Sequence, residues 1–267
     1  LKFKVSKSVM SNHFDALETR DPTLREAALL AALPNQVAHA KASASAFAKS
    51  LQSVDAAGVN SRAALAKLPV IRKHELLEQQ KAQRANDIFG GFSAIKYGKA
   101  MPRVFASPGT IYEPEGARSD YWRMARAIYA AGFRPGELVH NCFSYHFTPA
   151  GSMMESGAHA LGCCVFPAGI GQTELQAQTI AHLKPNAYTG TPSFLKIILE
   201  KADELGLDCS SLTKAVVSGE ALTPSMRSWF KERGITVNST YATADVGLIA
   251  YESPDLVSGM IVDEDII

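Results

Sequence analysis

The amino-acid sequence predicts an α/β protein, with a helical segment over residues 1–100 packing on an α/β region over residues 101–267. The chain has 267 residues and 46% hydrophobic content, which suffices for a sizeable core. In the second region short apolar runs alternate with amphipathic segments, a pattern typical of a mostly parallel sheet with helices on both faces. Glycine follows three of the helical patterns, where a left-handed cap favours it: Gly132, Gly206 and Gly234.

The N-terminal segment carries helical patterns only. Asp21 precedes Pro22, an N-cap followed by proline at the first helical position, and apolar residues recur at helical spacing after it. Three further helices are predicted: from Pro34 to about Leu51, from Arg62 to Lys67 after an Asn60 cap, and from Arg72 to Gln83. No strand and no catalytic pattern is indicated before residue 100.

Six apolar runs have the length of strands, and four helical patterns lie between them. The predicted strands are Val104–Ala106, Leu138–Phe143, Cys163–Phe166, Ala187–Thr189, Ala215–Ser218 and Ile235–Asn238. The predicted helices are Tyr121–Ala131, Thr173–Leu183, Pro192–Leu205 and Pro224–Arg233. Because ligands bind at the carboxyl ends of parallel strands, we expect the functional residues in the loops that follow strands.

Charge and cysteine content exclude several classes of protein. The 27 basic and 26 acidic residues leave a net charge of +1, which predicts no nucleic-acid partner. The apolar stretches fall short of the roughly 18–20 residues of a membrane span, so no membrane partner is predicted. No secretory leader is recognised and the four cysteines form no CxxC pair, so we expect reduced thiols in the cytoplasm: Cys142, Cys163, Cys164 and Cys209.

Four loop motifs occur in register along the second region: Phe105–Gly116, Thr189–Leu195, Val217–Pro224 and Ser239–Leu248. Their order and spacing resemble the large N-terminal domain of adenylate-forming enzymes, and are most similar to the phenylacetate–CoA ligase branch. The resemblance extends over most of the chain, and includes the start DALETRDPTLREAALLAALP and the segments GQTELQAQTIAHLKP and SGEALTPSMR.

The resemblance implies a function. Enzymes of this family activate a carboxylic acid with MgATP to an acyl adenylate, release pyrophosphate, and pass the acyl group to coenzyme A. It therefore implies ATP, Mg²⁺ and coenzyme A as cofactors, and an aromatic or arylacetic acid as the small-molecule partner. Such a site must hold a carboxylate and a triphosphate together and neutralise their charge.

The resemblance also implies roles for residues in the last two motifs. Ser218, Gly219, Glu220 and Ala221 fall where the family lines the adenine pocket, and Tyr241 where an aromatic ring stacks on adenine. Asp245 falls at the acidic residue that binds magnesium, an ion that prefers hard oxygen ligands. The hydroxyl residue expected just before that acid is Ala244 here, so Thr243, one position off, is the candidate to replace it.

Three of these residues have structural alternatives. Tyr241 can pack against a helix, Asp245 can cap the turn that follows it, and Glu220 can be an acidic residue of a helix's first turn, favoured by the helix dipole.

The phosphate loop departs from the family pattern. That loop is a serine, threonine and glycine tract ending in lysine, and only Ser107, Gly109 and Thr110 keep its character here. Glu113 and Glu115 put negative charge where a phosphate would lie, so phosphate binding would rely on magnesium and other residues, unless the loop has another role.

An aromatic segment after the second predicted strand is the candidate acid pocket. It reads FSYHF over residues 143–147, and Tyr145 and His146 are predicted to contact the acid, although a histidine among aromatic residues is often structural. The glycines of residues 168–171 are predicted to permit a close turn. In some members of the branch that the chain resembles, cysteines and a histidine near the stretch after the tyrosine motif hold a structural zinc. Here the stretch from Tyr251 has no cysteine, so we predict no structural zinc.

The sequence thus predicts an AMP-forming acid–CoA ligase. An alternative is a degenerate, non-catalytic relative that binds a nucleotide, an acyl ligand or a protein partner. An NAD-binding oxidoreductase would need a GxGxxG motif after its first strand, which is missing. The family's small C-terminal domain is not recognised before Ile267, so we expect the chain as given to bind ligands and to be incomplete for turnover. A homodimer is left open.

Overall fold

The computed structural model describes residues 13–254, 256 and 258–267, and it confirms the α/β class. Within these described residues, the central sheet has seven strands: β3 (Leu138–Asn141), β4 (Cys164–Phe166), β5 (Ala187–Gly190), β6 (Lys214–Val217), β7 (Thr236–Thr243), β8 (Gly247–Tyr251) and β9 (Ile261–Val262). Two strands form a separate antiparallel hairpin: β1 (Arg103–Ser107) and β2 (Ile111–Glu115). The α-helices are α1 (Pro22–Ser43), α2 (Ser45–Ser50), α3 (Arg62–Leu65), α4 (Lys73–Gln83), α5 (Met124–Ala130), α6 (Ala150–Leu161), α7 (Thr173–Leu183), α8 (Pro192–Leu205) and α9 (Pro224–Glu232).

The strand order in the sheet is β4-β3-β5-β6-β7-β8-β9. The five strands from β4 to β7 are parallel, and β8 and β9 are antiparallel additions at one edge. The chain leaves β3 for β4 on one side and then crosses back to β5 on the other. The carboxyl ends of β3 and β5 therefore form the switch point at which open parallel sheets bind ligands.

Helices cover both faces of the sheet, as the sequence predicts. Alternate residues of a strand point to opposite faces, so Ala187 and Val216 pack under α5 and α6, whereas Tyr188 and Val217 pack under α7, α8 and α9. Both clusters consist of side chains that are almost fully buried. The sheet is thus a rigid platform for the loops at its carboxyl edge.

Helices α7 and α8 have the bounds predicted from the sequence. The glycine caps also hold: Gly132, Gly206 and Gly234 have φ of 89°, 65° and 76°, the left-handed region that favours glycine. Helix α8 begins with the Thr191 hydroxyl accepting from the Phe194 N–H at 3.4 Å, followed by Pro192 at the first helical position. Such local signals fix an element without reference to the rest of the chain.

Other elements differ from the prediction. Pro34 does not start a helix but lies inside α1, and the break falls at Ala44, an extended residue between α1 and α2. The predicted strand at Val104–Ala106 belongs to the hairpin and not to the parallel sheet. Helix α6 and strands β2 and β8 were not predicted at all. The helix predicted from Tyr121 begins only at Met124, because the Asp120 carboxylate caps the N–H groups of Met124 and Ala125.

The N-terminal helices form a small apolar cluster of their own around Leu33 and Val37. Side-chain contacts connect the N-terminal segment to the α/β region. Gln80 on α4 both donates to and accepts from the Tyr112 backbone of β2, each at 2.8 Å. Arg20 and Arg25, which flank the start of α1, form ion pairs with Glu264 at 2.7 and 3.3 Å. Among the described residues no helix is both long and apolar enough to cross a bilayer.

Candidate functional site

A mostly apolar cavity of about 180 Å³ lies at the carboxyl edge of the parallel strands. Its walls come from the end of β1, the loop after β3, the start of α6, the turn after β6 and the end of β7. The lining residues are Ser107, Pro108, Phe143, Thr148, Pro149, Ala150, Met153, Met154, Ser218, Gly219, Ala242, Thr243 and Ala244. This is the edge at which the sequence places the functional loops, and four predicted site residues meet there: Ser107, Ser218, Gly219 and Thr243.

The turn after β6 is fixed by hydrogen bonds to its neighbouring strands. The Ser218 hydroxyl donates to the Thr240 carbonyl at 2.8 Å, and its N–H donates to the Gly190 carbonyl at 3.2 Å. Gly219 has φ of 85°, which lets the backbone turn away at the strand end. Ser218 and Gly219 of this turn therefore line the cavity.

Glu220 makes a capping contact that differs from the structural alternative expected for it. Its carboxylate accepts from the Ser193 N–H at 2.6 Å, so it caps the first turn of α8, a neighbouring helix, and not the helix that follows it. Ala221 is exposed beside it. Neither residue lines the cavity at Ser218.

Tyr241 and Thr243 lie at the end of β7, and Asp245 lies in the turn between β7 and β8. Pairing with β8 shifts register between Tyr241 and Ala242, and the Tyr241 side chain is 55% exposed, which argues against the packed alternative. The Thr243 hydroxyl accepts from the Val246 N–H at 3.2 Å, so Thr243 makes the turn-capping contact that was the structural alternative for Asp245. Asp245 itself is exposed and, within the described part of the chain, accepts no hydrogen bond.

The predicted phosphate loop is the tip of the β1–β2 hairpin. Gly109 and Thr110 form its turn with φ of 95° and 62°, and the Thr110 N–H donates to the Ser107 carbonyl at 3.1 Å. The Ser107 hydroxyl donates to the buried Glu113 carboxylate at 2.9 Å. Burial raises the pKa of Glu113, against the opposing influence of Ser107 and a nearby lysine. The hairpin therefore turns one of its own carboxylates towards the residue expected to meet phosphate.

Glu115 lies at the base of the hairpin and away from the tip. It is buried, its Oε1 accepts from Arg103 at 2.9 Å, and burial raises its pKa. It lines a different cavity, together with Arg103, Arg118 and His159. Of the two acids expected to repel phosphate, Glu113 is thus the one at the site.

Lys73, at the start of α4, is a functional candidate that the sequence did not reveal. Its Nζ lies 3.3 Å from Glu113 Oε1 and 3.9 Å from Asp245 Oδ1. It therefore brings a positive charge between the hairpin and the β7–β8 turn. Nothing in the local sequence marks it, because the contact joins residues far apart in the chain.

Tyr145 and His146 lie beyond the switch point. The Asn141 amide donates to the Tyr145 hydroxyl at 2.7 Å, and that hydroxyl donates to Glu155 at 2.6 Å. Asn141 also accepts from the Thr189 hydroxyl at 2.9 Å, which connects β3 to β5. Burial raises the pKa of Tyr145. Tyr145 is half-buried and His146 exposed, and neither lines the cavity at Phe143.

The residues present fit magnesium only together with a ligand. No group of three or more His, Cys, Asp or Glu side chains that could hold a metal occurs among the residues the structure describes. Asp245 offers an exposed carboxylate, which suits an ion usually held by one or two carboxylates plus phosphate oxygens.

Comparison with known proteins identifies the family. The sequence profile of the AMP-binding enzyme family matches residues 118–261, more than half of the chain. The chain belongs to the AMP-binding enzyme family. This stretch contains both the Ser218 turn and the Tyr241–Asp245 turn, so the family assignment rests on the α/β region that forms most of the cavity.

Similar proteins point to one branch of this family. A phenylacetate-coenzyme A ligase of Aromatoleum evansii is 33% identical over 228 residues, covering 79% of this chain and 50% of that protein. One of Escherichia coli strain K12 is 33% identical over 208 residues, covering 72% of this chain and 46% of that protein. The chain spans about half the length of these relatives.

The fold is also that of a solved CoA ligase. A crystal structure of 2-hydroxyisobutyryl-CoA ligase in complex with 2-HIB-AMP and CoA superposes with a TM-score of 0.85 at 23% identity, covering 96% of this chain and 58% of that chain. The predicted resemblance to the phenylacetate–CoA ligase branch is confirmed.

Proposed function

We propose that this chain supplies the nucleotide- and acid-binding site of an AMP-forming CoA ligase that activates an aromatic or arylacetic acid. The observation that carries the proposal is the meeting of Ser107, Ser218, Gly219 and Thr243 around one cavity at the carboxyl edge of the sheet. Tyr241 at the end of β7 and Asp245 in the turn after it lie beside this cavity in the chain, and the resemblance assigns them to adenine and magnesium.

The cavity at Phe143 is proposed to receive the acid. Its volume of about 180 Å³ is below the roughly 300–1,000 Å³ of pockets for drug-sized ligands, which favours a small acid. Its walls include one aromatic and two thioether side chains, Phe143, Met153 and Met154, and these contact aromatic rings favourably. Tyr145 and His146 remain predicted substrate contacts at the outer end of the same loop.

The nucleotide is proposed to lie across the Ser218–Ala221 turn, with its adenine on the exposed Tyr241 ring and its phosphates towards Ser107, Gly109, Thr110 and Asp245. Magnesium, when bound with the nucleotide, would be held by Asp245 and would offset charge on the phosphates. Lys73 adds a second positive charge on the same side. Thr243 holds the turn that presents Asp245.

The reaction proposed for the whole protein is formation of an acyl adenylate with release of pyrophosphate, followed by acyl transfer to coenzyme A. Phenylacetate-coenzyme A ligase is the name of the relatives that support it. The four cysteines are all free, which agrees with the cytoplasmic location proposed here. The test is pyrophosphate release from ATP by the full-length gene product with a panel of aromatic acids; no release with any of them would contradict the proposal.

A second candidate is a non-catalytic relative that binds a nucleotide or acyl ligand. It is favoured by Glu113, because its carboxylate accepts the hydrogen bond of the Ser107 hydroxyl and lies near the expected path of the phosphates. Removing that charge should strengthen ATP binding if repulsion is what limits it. The test compares ATP affinity of Glu113→Gln with the matched exposed variant Glu78→Gln. Acid-dependent pyrophosphate release by the unaltered protein would reject this candidate.

A further inference from the structure

Arg123, a residue outside all of the motifs, forms hydrogen bonds with the β7–β8 connection. Its Nη2 donates to the carbonyl oxygens of Val246 and Leu248 at 2.7 and 2.9 Å. These two residues flank Gly247, and Val246 directly follows Asp245. One guanidinium therefore binds the backbone on both sides of Gly247, the residue at which β8 begins.

Arg123 is itself fixed in place. Its Nε donates to Asp263 Oδ1 at 2.9 Å, and the Asp263 side chain is only 2% exposed. Arg123 has φ of 62°, a left-handed conformation that is uncommon for a residue with a side chain and clusters at functional sites. The planar guanidinium can serve three acceptors in fixed directions, which a lysine ammonium on a flexible stem cannot reproduce.

The backbone next to Arg123 adds a second contact with the same turn. The Leu248 N–H donates to the Trp122 carbonyl at 3.0 Å. A Cβ at Gly247, where φ is 81°, would lie 2.7 Å from that carbonyl oxygen, so the two segments approach as closely as glycine allows. The turn bearing Asp245 thus rests directly on Trp122 and Arg123.

We infer that Arg123 is a positioning residue for Asp245, and that Asp263 orients it. In the described part of the chain Asp245 accepts no hydrogen bond and has one long ion pair, with Lys73 at 3.9 Å, so the turn on either side chiefly sets its place. Thr243 holds the near side through the Val246 N–H, and Arg123 holds the far side through two carbonyl groups. This inference rests on the proposed function, because it assigns Asp245 to magnesium–nucleotide binding.

The experiment uses the full-length gene product and two variants, Arg123→Lys and Asp263→Asn, with Arg233→Lys as the matched control. Arg233 also pairs with an aspartate, Asp203 at 2.9 Å, but on the face covered by α8 and α9. ATP affinity is measured by calorimetry with excess Mg²⁺ and again with EDTA. Hydrogen exchange at the Leu248 amide reports the turn without any ligand.

In Arg123→Lys the gain in ATP affinity due to Mg²⁺ should fall by about tenfold, the lower end of what loss of an orienting contact costs at metal sites. Affinity in EDTA should change by no more than about twofold, because the adenine contacts are untouched. Leu248 exchange should accelerate, Asp263→Asn should show a smaller effect of the same kind, and Arg233→Lys should behave as the unaltered protein.

Other outcomes overturn the inference. An equal loss of affinity with Mg²⁺ and with EDTA would mean that Arg123 supports the fold in general. Faster Leu248 exchange with an unchanged Mg²⁺ effect would mean that the turn moves without consequence for Asp245. If Arg123→Lys does not fold, the inference is tested by the Mg²⁺-dependent ATP affinity and the Leu248 exchange rate of Asp263→Asn. If the unaltered protein binds no ATP under either condition, the proposed function fails and this inference fails with it.

Discussion

His140, in the middle of β3, should make the stability of the fold depend on pH in a defined range. It is fully buried and stacks on Phe166 with ring centroids 5.4 Å apart. Its Nε2 lies 2.6 Å from Oε1 of Gln176, whose Nε2 donates to the carbonyl groups of Gly169 and Gly171. Because the Gln176 amide nitrogen is the donor to these carbonyl groups, its oxygen Oε1 must accept from His140, so the proton of neutral His140 lies on Nε2.

The other ring nitrogen explains the direction of the pKa shift. Nδ1 of His140 is buried and has no hydrogen-bond partner among the described residues. A proton added there would be buried without an acceptor, so burial lowers the pKa of His140 from 6.5 to about 4. The stability that depends on neutral His140 is complete above 6.5, the unfolded value, and is lost as the pH falls towards 4.

The magnitude follows from the two pKa values. One unit corresponds to about 1.4 kcal/mol, so the shift is worth about 3 kcal/mol in full and about 2.5 kcal/mol by pH 4.5. The variant His140→Gln keeps a side-chain N–H for Gln176 but does not titrate. Its free energy of unfolding should therefore fall by about 2–3 kcal/mol less than that of the unaltered protein between about pH 7 and 4.5.

Urea unfolding at the two pH values measures this difference, because the carboxylates that also titrate are common to both proteins. His159→Gln, at an exposed position on α6, is the matched control and should follow the unaltered protein. Equal losses of stability in His140→Gln and the unaltered protein would refute the argument from the buried Nδ1.

Three further predictions concern the proposed site. Tyr241→Ala should weaken AMP binding by about 1–3 kcal/mol in calorimetry, by analogy with base stacking on aromatic rings, and an unchanged affinity would remove Tyr241 from the adenine site. Asp245→Asn should abolish acid-dependent pyrophosphate release with little change in melting temperature, since its carboxylate is exposed; a large loss of stability at an unchanged rate would favour a structural role. Burial raises the pKa of Glu113, so the stability linked to its protonated form is present below pH 4.5, the unfolded value, and is lost as the pH rises through the raised pKa. Over that rise the melting temperature of Glu113→Gln should decline less than that of the unaltered protein. A parallel decline in the two proteins would contradict the assigned burial effect.

The parts of the fold predicted from sequence are those with local causes. Helix α8 has a threonine cap, a proline at its first position and a glycine after its end, and each acts within a few residues. Helix α6 was missed because it contains Gly151, Ser152 and Gly157, which favour other conformations in isolation. A Cβ at Gly157 would lie 2.6 Å from Met124 Cβ, so packing against α5 is what selects glycine there.

The site divides in the same way. The Ser218 turn could be located because it follows β6, and Tyr241 because it lies near the end of β7, and the hydrophobic pattern reveals both strands. The position of Lys73 could not be predicted, because its contacts with Glu113 and Asp245 depend on how α4 packs against β2. The pairing of β1 with β2 was not predicted either, because the segment after Ala106 resembles a phosphate-binding loop and not a strand.

The contacts of Arg20 and Arg25 with Glu264 have a consequence for the order of events during synthesis. Arg20 and Glu264 are separated by 244 residues, and Arg25 also donates to the carbonyl groups of Asp263 and Ile266. At roughly 5–20 residues per second, a ribosome needs about 10–50 s to travel from the first partner to the last. For all of that time these arginines lack their native acceptors, while β3 to β7 can already pair behind them. The start of α1 is therefore made before the parallel strands but reaches these native contacts after them.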